Sequence, residues 1–219
     1  MSVRILITGS NGLLGQKLVG MLHKREDIKL LATSRGANRI EQYSDFPYKS
    51  LDITSAAEVL AVFAEFKPTV VINTAAMTNV DACEDDKEGC DALNVTAVEN
   101  LIAACQVHNT HLIHLSTDFV FDGEDGPYKE EDVPNPLSYY GQSKYKAEQL
   151  VLNSKLEKWS IVRTIIVYGI CENMSRSNIV LWAKGALEKG QELNIVDDQF
   201  RSPTLAEDLA EGCILIADQ

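Results

Sequence analysis

The stretch that most constrains the fold is an apolar run followed by three glycines near the start of the chain. The run covers residues 3–8, and Gly9, Gly12 and Gly15 follow it at intervals of three. Apolar residues then recur with helical spacing at Leu14, Leu18, Met21 and Leu22. Because helix N-termini attract phosphate and glycine permits close approach, this segment predicts a nucleotide-binding strand–turn–helix unit. An ordinary tight turn is the alternative.

The composition of the chain bounds its class. With 219 residues, 45% of them hydrophobic and 24% charged, it suits one large domain, or one domain with a small appendage. The formal net charge of -12 argues against nucleic acid and anionic membrane surfaces, since both require a basic face. No apolar run approaches the roughly 18 to 20 residues of a membrane helix, and no signal-like segment follows Met1. We therefore expect a cytoplasmic protein without membrane association.

The cysteines and histidines do not predict a metal site. The five cysteines are odd in number and form no C-x-x-C pair, which favours reduced thiols. His108, His111 and His114 are close in sequence, but they span a predicted helix end and a strand. We therefore expect them not to converge, and we expect no bound metal.

Strand-like and helix-like segments alternate along most of the chain. Helices are predicted after Ser55, which forms a capping-box pattern with Glu58, from the acidic residues at 84–88, and after Ser138. This alternation predicts an α/β fold with a Rossmann-type, doubly wound parallel sheet. The strand-like runs cover residues 3–8, 28–33, 48–51, 70–72, 111–116 and 161–167.

The C-terminal part of the chain predicts a smaller unit. We divide the chain into an NAD(P)-binding Rossmann domain, residues 1–168, and a partial substrate-binding lobe, residues 169–219. The last helix carries no stop signal, so the chain looks cut short. The elements expected in the lobe are a helix over 177–189, a strand over 193–196, a loop through Pro203 and a helix over 205–217.

Residues at the ends of two strands indicate the cofactor. In nucleotide-binding folds, an acidic residue after the second strand binds the ribose 2′-hydroxyl of NAD, whereas an arginine accommodates the 2′-phosphate of NADP. Here the strand ends in Ser34 and Arg35, with no carboxylate before Glu41, which favours NADP. A solvated surface arginine is the alternative. Small residues at Ala75 and Ala76, after the fourth strand, leave room for a ligand.

A tyrosine and a lysine one helical turn apart carry the predicted chemistry. On the helix after Ser138, Tyr140 and Lys144 lie within roughly 40° of each other, whereas Tyr139 falls about 140° away. A tyrosine, with an ordinary pKa of about 10, exchanges protons poorly at neutral pH unless a neighbouring positive charge helps it. A lone Y-x-x-x-K pattern is common on helix surfaces. Combined with the glycine turn and the hydroxyl of Thr117, however, it predicts a catalytic site.

This ordered set of glycines, hydroxyl, tyrosine and lysine resembles the catalytic constellation of the short-chain dehydrogenase/reductases. Within that superfamily the chain is similar to the dTDP-4-dehydrorhamnose reductases, whose S-T-D-Y-V-F-D-G block corresponds to residues 116–123. The resemblance runs from residue 3 to about residue 210. Further similar segments cover residues 73–81, 134–137, 140–144, 163–164, 167–169 and 196–199.

The resemblance implies an NAD(P)-dependent oxidoreductase that reduces the 4-keto group of a nucleotide-linked deoxysugar. It implies NADP(H) as the preferred cofactor, with NAD(H) possible. In this family Thr117 would hydrogen-bond the keto oxygen, Tyr140 would protonate it, and Lys144 would tune Tyr140 and bind the nicotinamide ribose. Asn94 aligns with a family asparagine that orients Lys144 through water; a plain polar residue on a helix face is the alternative.

The remaining site residues follow from their positions in the same motifs. The expected partner is a small-molecule nucleotide sugar, and a homodimer is possible. The predicted substrate-binding residues are Thr117, Asp118, Ile166 and Arg201. The predicted cofactor-binding residues are Gly9, Asn11, Gly12, Leu13, Leu14, Gly15, Ser34, Arg35, Asp52, Ile53, Ala75, Ala76, Met77 and Lys144.

The chain differs from the family pattern at two predicted substrate-binding positions. Ile166 stands where the family usually has a tryptophan, and Arg201 where it usually has a glycine. Arg201 is predicted to bind the substrate diphosphate or, alternatively, to pair with Asp197 or Asp198. An alternative function also stays open, that of a non-catalytic NADP-binding regulatory subunit, because the methionine adenosyltransferase beta subunit resembles the same branch.

Overall fold

A computed structural model describes residues 2–43, 45–174 and 177–219. The strands of its main sheet are Val3–Thr8 (β1), Ile28–Ser34 (β2), Tyr48–Ser50 (β3), Val70–Asn73 (β4), His111–Thr117 (β5) and Trp159–Thr164 (β6). They pair in parallel in the order β3-β2-β1-β4-β5-β6. A separate parallel pair joins Val167–Tyr168 (β7) to Thr204–Leu205 (β8).

Helices connect the strands and cover the sheet. Short turns of other helical types cover Ala92–Thr96, which is π-helical, and Asp118–Val120, which is 3₁₀-helical. The α-helices are Leu13–Leu22 (α1), Ala56–Phe66 (α2), Val80–Asp85 (α3), Lys87–Asp91 (α4), Ala97–His108 (α5), Tyr139–Leu152 (α6), Ile179–Glu188 (α7) and Ala206–Ala217 (α8).

The sheet is buried on both faces because side chains along its central strands alternate between two apolar clusters. Leu6 of β1 packs into the cluster that contains α2, α5 and α6, whereas Ile5 and Ile7 pack into the cluster that contains α1 and α8. All three side chains are fully buried. Such strands read as continuous apolar runs in parallel sheets. The predicted Rossmann-type, doubly wound architecture is confirmed.

Two helices begin where their capping residues predicted. Ser55 Oγ accepts a hydrogen bond from the Glu58 N–H at 3.4 Å, and Ser138 Oγ accepts one from the Gly141 N–H at 3.1 Å. The Glu58 carboxylate does not return to Ser55, however; it accepts from the Asp52 N–H at 3.0 Å. This contact holds the turn after β3 at the C-terminal edge of the sheet.

The helix predicted from residues 84–88 begins earlier and is interrupted. Asn79 caps α3 by accepting from the Ala82 N–H at 3.2 Å, and Asp86 ends α3 and caps α4. A π-helical turn then precedes α5 and buries Asn94 to 1% exposure. Turns of this type are frequent at functional sites.

The strand predicted over 193–196 is not formed, and that prediction was wrong. Ile195 and Val196 are exposed, and residues 191–196 adopt no regular structure. An apolar run without a pairing partner does not hold as a strand in water. The strand predicted over 161–167 is also interrupted, since β6 ends at Thr164 and Ile166 has a φ of 39°.

Helix α8 shares an apolar cluster with α1. Leu209 and Cys213 of α8 are buried in the same cluster as Leu18 of α1. A salt bridge of 2.8 Å between Lys17 and Glu207 links the two helices at their surface. The division of the chain at residue 168 stays a prediction.

Candidate active site

The turn after β1 leaves backbone N–H groups free at the C-terminal edge of the sheet. Gly12 is the N-cap of α1; no side chain caps this helix, and its first turn contains no acidic residue. The first N–H groups of a helix have no partner within the helix. Here they include those of Leu13 and Leu14, which line a cavity at this edge of the sheet. Together with the helix dipole, these groups fit a diphosphate.

Gly9 and Gly15 are required by close packing around this turn. Gly9 has a φ of 75°, and a Cβ added there would lie 2.7 Å from the Ala75 nitrogen. A Cβ on Gly15 would lie 2.6 Å from Ser10 Cα. Real Cβ atoms essentially never show such distances, so a side chain at either position would displace the turn. Gly15 therefore packs α1 against the turn and does not line the cavity.

Two adjoining cavities form one groove along the sheet edge. The larger has a volume of about 710 Å³ and the smaller about 230 Å³, and they share Gly12 and residues 74–76. In the larger cavity lie the predicted residues Asn11, Gly12, Leu13, Leu14, Ala75, Ala76, Met77, Thr117, Asp118, Tyr140, Lys144 and Ile166. In the smaller cavity lie Gly9, Ser34, Arg35, Asp52 and Ile53.

Helix α6 brings Tyr140 and Lys144 to the larger cavity. Tyr140 is 7% exposed and packs edge-to-face against Phe119, with the ring centroids 5.7 Å apart. Gly141 permits this contact, because a Cβ there would overlap the Phe119 carbonyl oxygen. The Thr117 hydroxyl donates to Asp118 at 3.1 Å and accepts from the Phe119 N–H at 3.3 Å, which holds it beside Tyr140.

Tyr139 lies outside the cavities. The ammonium groups of Lys87 and Lys146 lie 5.0 and 5.3 Å from its ring centre. A hydrogen bond with Asp91 raises the pKa of Tyr139 to about 12. Of the two adjacent tyrosines, only Tyr140 shares a cavity with Lys144.

Burial shifts the proton affinities of Tyr140 and Lys144 in opposite directions. It raises the pKa of Tyr140 to about 12, with a hydrogen bond from Thr117 acting in the opposite sense. It lowers the pKa of Lys144 to about 8, although Glu148 and Cys90 act to raise it. Tyr140 therefore keeps its proton at neutral pH and can donate it, while Lys144 exchanges its proton in the physiological range.

Lys144 is anchored by groups of β5. Its Nζ donates to the Leu115 carbonyl at 2.6 Å and lies 3.3 Å from His114 Nε2. On the other side of the ring, His114 Nδ1 lies 3.2 Å from Asn73 Nδ2. Sequence reasoning assigned no role to His114 or Asn73. The available signals were a histidine within the apolar run of β5 and an asparagine directly after the apolar run of β4.

Asn94 fixes the loop after β4. Its Oδ1 accepts from the Met77 N–H at 2.8 Å, and its Nδ2 donates to the Met77 carbonyl at 3.0 Å and to Ser143 Oγ at 2.9 Å. Met77 lines the larger cavity, so Asn94 determines the position of one wall. Its water-mediated contact with Lys144 stays a prediction.

The smaller cavity differs from the larger one because its positively charged side chain, Arg35, is not bonded to the described residues. Arg35 is exposed there and makes no hydrogen bond or salt bridge with any residue that the structure describes. Asp52, in the same cavity, accepts from the Thr54 hydroxyl at 2.7 Å and the Thr54 N–H at 3.0 Å. These bonds lower the pKa of the Asp52 carboxyl. The Arg35 guanidinium is therefore available to an added anion.

Two buried hydroxyls complete the lining of the larger cavity. Ser116 Oγ and Thr164 Oγ1 are buried and have no hydrogen-bond partner among residues 2–43, 45–174 and 177–219. Both residues line the larger cavity. Because buried hydroxyls normally find a partner, these two fit polar groups of a bound cofactor or substrate.

Arg201 pairs with a different carboxylate from the two that the sequence indicated. Its Nη1 lies 3.4 Å from Asp118 Oδ2, and its guanidinium lies 5.2 Å from the Phe119 ring centre. The predicted pairing with Asp197 or Asp198 was wrong, because the loop carries Arg201 back to residues that follow β5. Arg201 lines a third cavity, of about 1000 Å³. This third cavity shares Asp118 and Phe119 with the cavity of about 710 Å³ that contains Tyr140 and Lys144.

The three histidines considered as metal ligands have other neighbours. His111 Nε2 lies 3.0 Å from Ser160 Oγ, and the ring of His108 lies 5.8 Å from that of Phe63. Within the described residues, no group of three or more His, Cys, Asp and Glu side chains is arranged to hold a metal ion. In the same part of the chain, no helix combines the length and apolarity needed to cross a membrane.

Comparison with known proteins identifies the family. The family model described as RmlD substrate binding domain matches residues 3–219. The chain is also 36% identical over 217 residues to the dTDP-4-dehydrorhamnose reductase of Aggregatibacter actinomycetemcomitans, an alignment that covers 99% of this chain and 68% of that protein. The chain belongs to the dTDP-4-dehydrorhamnose reductase family.

The relatives of this chain include reductases and subunits of another enzyme. It is 34% identical over 218 residues to the methionine adenosyltransferase 2 subunit beta of Xenopus tropicalis, covering 99% of this chain and 62% of that protein. The structure of a dTDP-4-dehydrorhamnose reductase from Bacillus anthracis in complex with NADP matches with a TM-score of 0.83 and 30% identity. That match covers 100% of this chain and 72% of the other. The chain thus spans 62 to 68% of the length of the two curated relatives.

Proposed function

We propose that the chain is the cofactor-binding and catalytic part of an NADPH-dependent reductase that acts on the 4-keto group of a nucleotide-linked deoxysugar. One observation carries the proposal: a single groove joins the free N–H groups of α1 to Thr117, Tyr140 and Lys144. The A. actinomycetemcomitans reductase and the NADP-bound B. anthracis structure support the same activity. When bound, the cofactor supplies the hydride.

The residues that line the groove would hold the successive parts of the cofactor. The N–H groups of Leu13 and Leu14 hold the diphosphate, and Asp52 and Ile53 contact the adenosine in the smaller cavity. Arg35 binds the 2′-phosphate, and the reason to expect NADP(H) over NAD(H) is that this guanidinium makes no salt bridge with a carboxylate of the described residues, although it lies near Asp52. Lys144 holds the nicotinamide ribose in the larger cavity.

Two hydroxyl groups act on the keto oxygen of the substrate. Thr117 and Tyr140 line the same cavity, and the Thr117 hydroxyl is near enough to affect the pKa of Tyr140, so both hydroxyls can turn to one oxygen between them. Because the pKa of Tyr140 is raised to about 12 by burial, its phenol holds the proton until the oxygen gains negative charge. The positive charge of Lys144 then stabilises the phenolate that is left. Asn94 contributes by fixing the loop that faces this pair.

The substrate enters from the side of the third cavity. Asp118 and Ile166 line the passage beside Thr117, and Arg201 lies where the larger and third cavities meet. A nucleotide diphosphate can replace Asp118 as the partner of the Arg201 guanidinium, because arginine pairs well with phosphate oxygens. The Arg201–Asp118 pair is half-buried and joined by one contact of 3.4 Å, so a phosphate that reaches the guanidinium can take the place of the carboxylate.

The proposal is tested by following NADPH absorbance with a panel of 4-keto nucleotide sugars. We expect turnover with at least one sugar in the unmodified protein and in Tyr139→Phe, and turnover at least about 100-fold slower in Tyr140→Phe. The two variants are matched because they remove the same hydroxyl from adjacent residues, inside and outside the cavity. The proposal would be contradicted if only Tyr139→Phe lost turnover. It would also be contradicted if none of the sugars in the panel caused the NADPH absorbance to fall.

A second candidate function is a regulatory NADP-binding subunit. The 34% identity to a methionine adenosyltransferase 2 subunit beta supports it. This candidate predicts that calorimetry detects NADPH binding while no 4-keto sugar is reduced. The presence of Thr117, Tyr140 and Lys144 in one cavity favours the enzyme. A homodimer stays a prediction for either candidate.

A further inference from the structure

A row of buried polar side chains lies directly beneath Lys144. Thr8 Oγ1 donates to Asn73 Oδ1 at 2.6 Å, Asn73 Nδ2 lies 3.2 Å from His114 Nδ1, and His114 Nε2 lies 3.3 Å from Lys144 Nζ. None of the four is more than 3% exposed. The register of the sheet creates this row, since Thr8 pairs with Asn73 and Asn73 with His114 on adjacent strands.

The direction of each hydrogen bond in this row can be derived from one backbone group. Asn73 Oδ1 accepts from the Ala75 N–H at 3.3 Å, and a backbone N–H can only donate. The amide of Asn73 must therefore turn its oxygen to Ala75 and its Nδ2 to His114. Because an amide NH₂ also only donates, His114 Nδ1 is the acceptor.

This assignment fixes the tautomer of His114. Burial lowers the pKa of His114 well below its ordinary value, so the ring is neutral and carries one N–H. With Nδ1 accepting from Asn73, that hydrogen is on Nε2 and points at Lys144 Nζ. An ammonium group has only donors, so a charged Lys144 would face the imidazole donor to donor. A neutral amine accepts from Nε2 and still donates to the Leu115 carbonyl.

We propose that His114 is a positioning residue whose Nε2–H favours the neutral amine of Lys144 over its ammonium form. The arrangement itself is independent of the reaction, and only its catalytic use rests on the proposed function. In the reductase, Tyr140 becomes a phenolate after protonating the keto oxygen. A lysine that releases its proton readily can restore it: an N–H bond of Lys144 breaks, an O–H bond of Tyr140 forms, and Lys144 regains a proton from solvent.

The other ionisable groups around Lys144 do not account for a neutral amine. On α6, the carboxylate of Glu148 favours the ammonium, although Arg163 binds it at 2.7 and 3.0 Å. Cys90 of α4 also favours the ammonium. Asp118, Cys83 and Cys90 add negative character around Tyr140. Burial acts towards loss of the proton, and the donor-to-donor contact with His114 acts in the same direction.

Asn73→Asp reverses the tautomer without removing a side chain. A carboxylate accepts from Thr8, from the Ala75 N–H and from an Nδ1–H of His114, so Nε2 becomes an acceptor for the ammonium. Reduction requires protonated Lys144, so kcat/KM falls as pH rises through the pKa of this lysine. We expect the fall to move up by about one pH unit or more in Asn73→Asp.

A double variant separates the tautomer from the added charge. The double variant Asn73→Asp, His114→Phe has the added carboxylate but no imidazole whose tautomer could change. We therefore expect it to lose most of the upward shift in the pH at which kcat/KM falls. A shift that is fully retained in the double variant would overturn the proposal. Should Asn73→Asp fold poorly, His114→Gln tests the same point. The glutamine amide can turn its oxygen to Lys144, which should raise the pH at which kcat/KM falls. An unshifted fall in a folded His114→Gln would then overturn it.

Nitrogen NMR of the imidazole reads the tautomer without any substrate. The chain has four histidines, and His114→Gln assigns the signals of His114 by their disappearance. We expect a pyrrole-type Nε2 and a pyridine-type Nδ1 in the unmodified protein, reversed in Asn73→Asp, and a shift of both signals as Lys144 titrates at about pH 8. His111→Gln, on the same strand, is the control and should change neither signal.

The two readouts separate failure of this inference from failure of the proposed function. A pyrrole-type Nδ1 in the unmodified protein overturns the inference, whatever the activity. The expected tautomer with no reduction of any sugar contradicts the reductase and supports the assignment of His114.

Discussion

The two ends of the groove differ in how far their polar groups are fixed by the protein itself. At the Lys144 end, the side chain is 3% exposed and bonded to Leu115, and adjacent strands hold the residues beneath it in register. At the Arg35 end, the guanidinium is exposed and makes no hydrogen bond or salt bridge with the described residues. The groups proposed to carry the chemistry are therefore pre-oriented by the protein, whereas the arginine proposed to select the cofactor is left for a ligand to orient.

The cause of this difference is the part of the fold that each end uses. The Lys144 end is built from β4, β5 and α6, whose backbone bonds allow little rearrangement. The Arg35 end follows β2 in a loop, where Asn11 ties the chain by donating to the Ala37 carbonyl at 2.9 Å and accepting from the Arg39 N–H at 3.0 Å. These bonds hold the backbone of the loop and leave the Arg35 guanidinium without a hydrogen bond to the described residues.

The largest expected effect is at the fixed end. Tyr140→Phe should lower kcat by about 100- to 10,000-fold, the usual contribution of a positioned proton donor. NADPH affinity should change less than about twofold, because the proton matters only as the keto oxygen gains charge. Steady-state kinetics and a fluorescence titration of NADPH measure both. A comparable loss of affinity would mean that Tyr140 organises the cofactor site, which would break the comparison.

At the Arg35 end, Arg35→Ala should weaken NADPH binding by about 10- to 100-fold, because hydrogen bonds to a charged phosphate are worth about 1.5 to 3 kcal/mol. NADH binding should stay unchanged, because NADH lacks the phosphate. Titrations with both cofactors measure the effect. Arg39→Ala is the matched control: it removes the same charge from the same loop but does not line the smaller cavity. Equal effects of the two substitutions would contradict the assignment.

The two ends should also respond differently to pH. Because the active form of Lys144 is protonated and its pKa is lowered to about 8, kcat/KM should fall about tenfold for each pH unit above that value. The proposed preference for NADPH over NADH rests on Arg35, and an arginine stays charged, so we expect this preference to be constant over the same range. A cofactor preference that falls together with kcat/KM would show that the two ends are not separable.

The smallest expected effect lies at the entrance to the groove. Arg201→Ala should raise KM for the nucleotide sugar by about three- to tenfold, while the free energy of unfolding changes by less than about 1 kcal/mol. Lys184→Ala, which removes an exposed salt bridge with Glu188 on α7, is the control for stability. If Arg201→Ala lowered the melting temperature and left KM unchanged, the Asp118 pair would be structural.

Much of the fold was predictable because local patterns determine it. The apolar run at 3–8, the glycines after it and the cap at Ser138 each depend on residues close in sequence. The strand at 193–196 failed for the opposite reason, since a strand needs a partner, and none of the described residues pairs with Ile195 or Val196. The break at Ile166 likewise depends on β8, which lies nearly forty residues further along the chain.

The candidate site divides in the same way. The spacing of Tyr140 and Lys144 on one helix was enough to place them on a common face. The contact of Lys144 with His114, and that of His114 with Asn73, join residues 30 and 41 positions apart. Such contacts depend on strand order and register, which no short motif encodes. For the same reason the partner of Arg201 could not be read from its own loop.

Isotope transfer shows whether this groove brings a cofactor hydride to a sugar keto group. The protein is incubated with NADPH deuterated at the transferred position and a 4-keto nucleotide sugar, and the product is analysed by mass spectrometry and NMR. We expect one deuterium at C4 of the sugar, and its incorporation should be at least about 100-fold slower in Tyr140→Phe. A protein that binds NADPH tightly but places no deuterium in any sugar of the panel would contradict it.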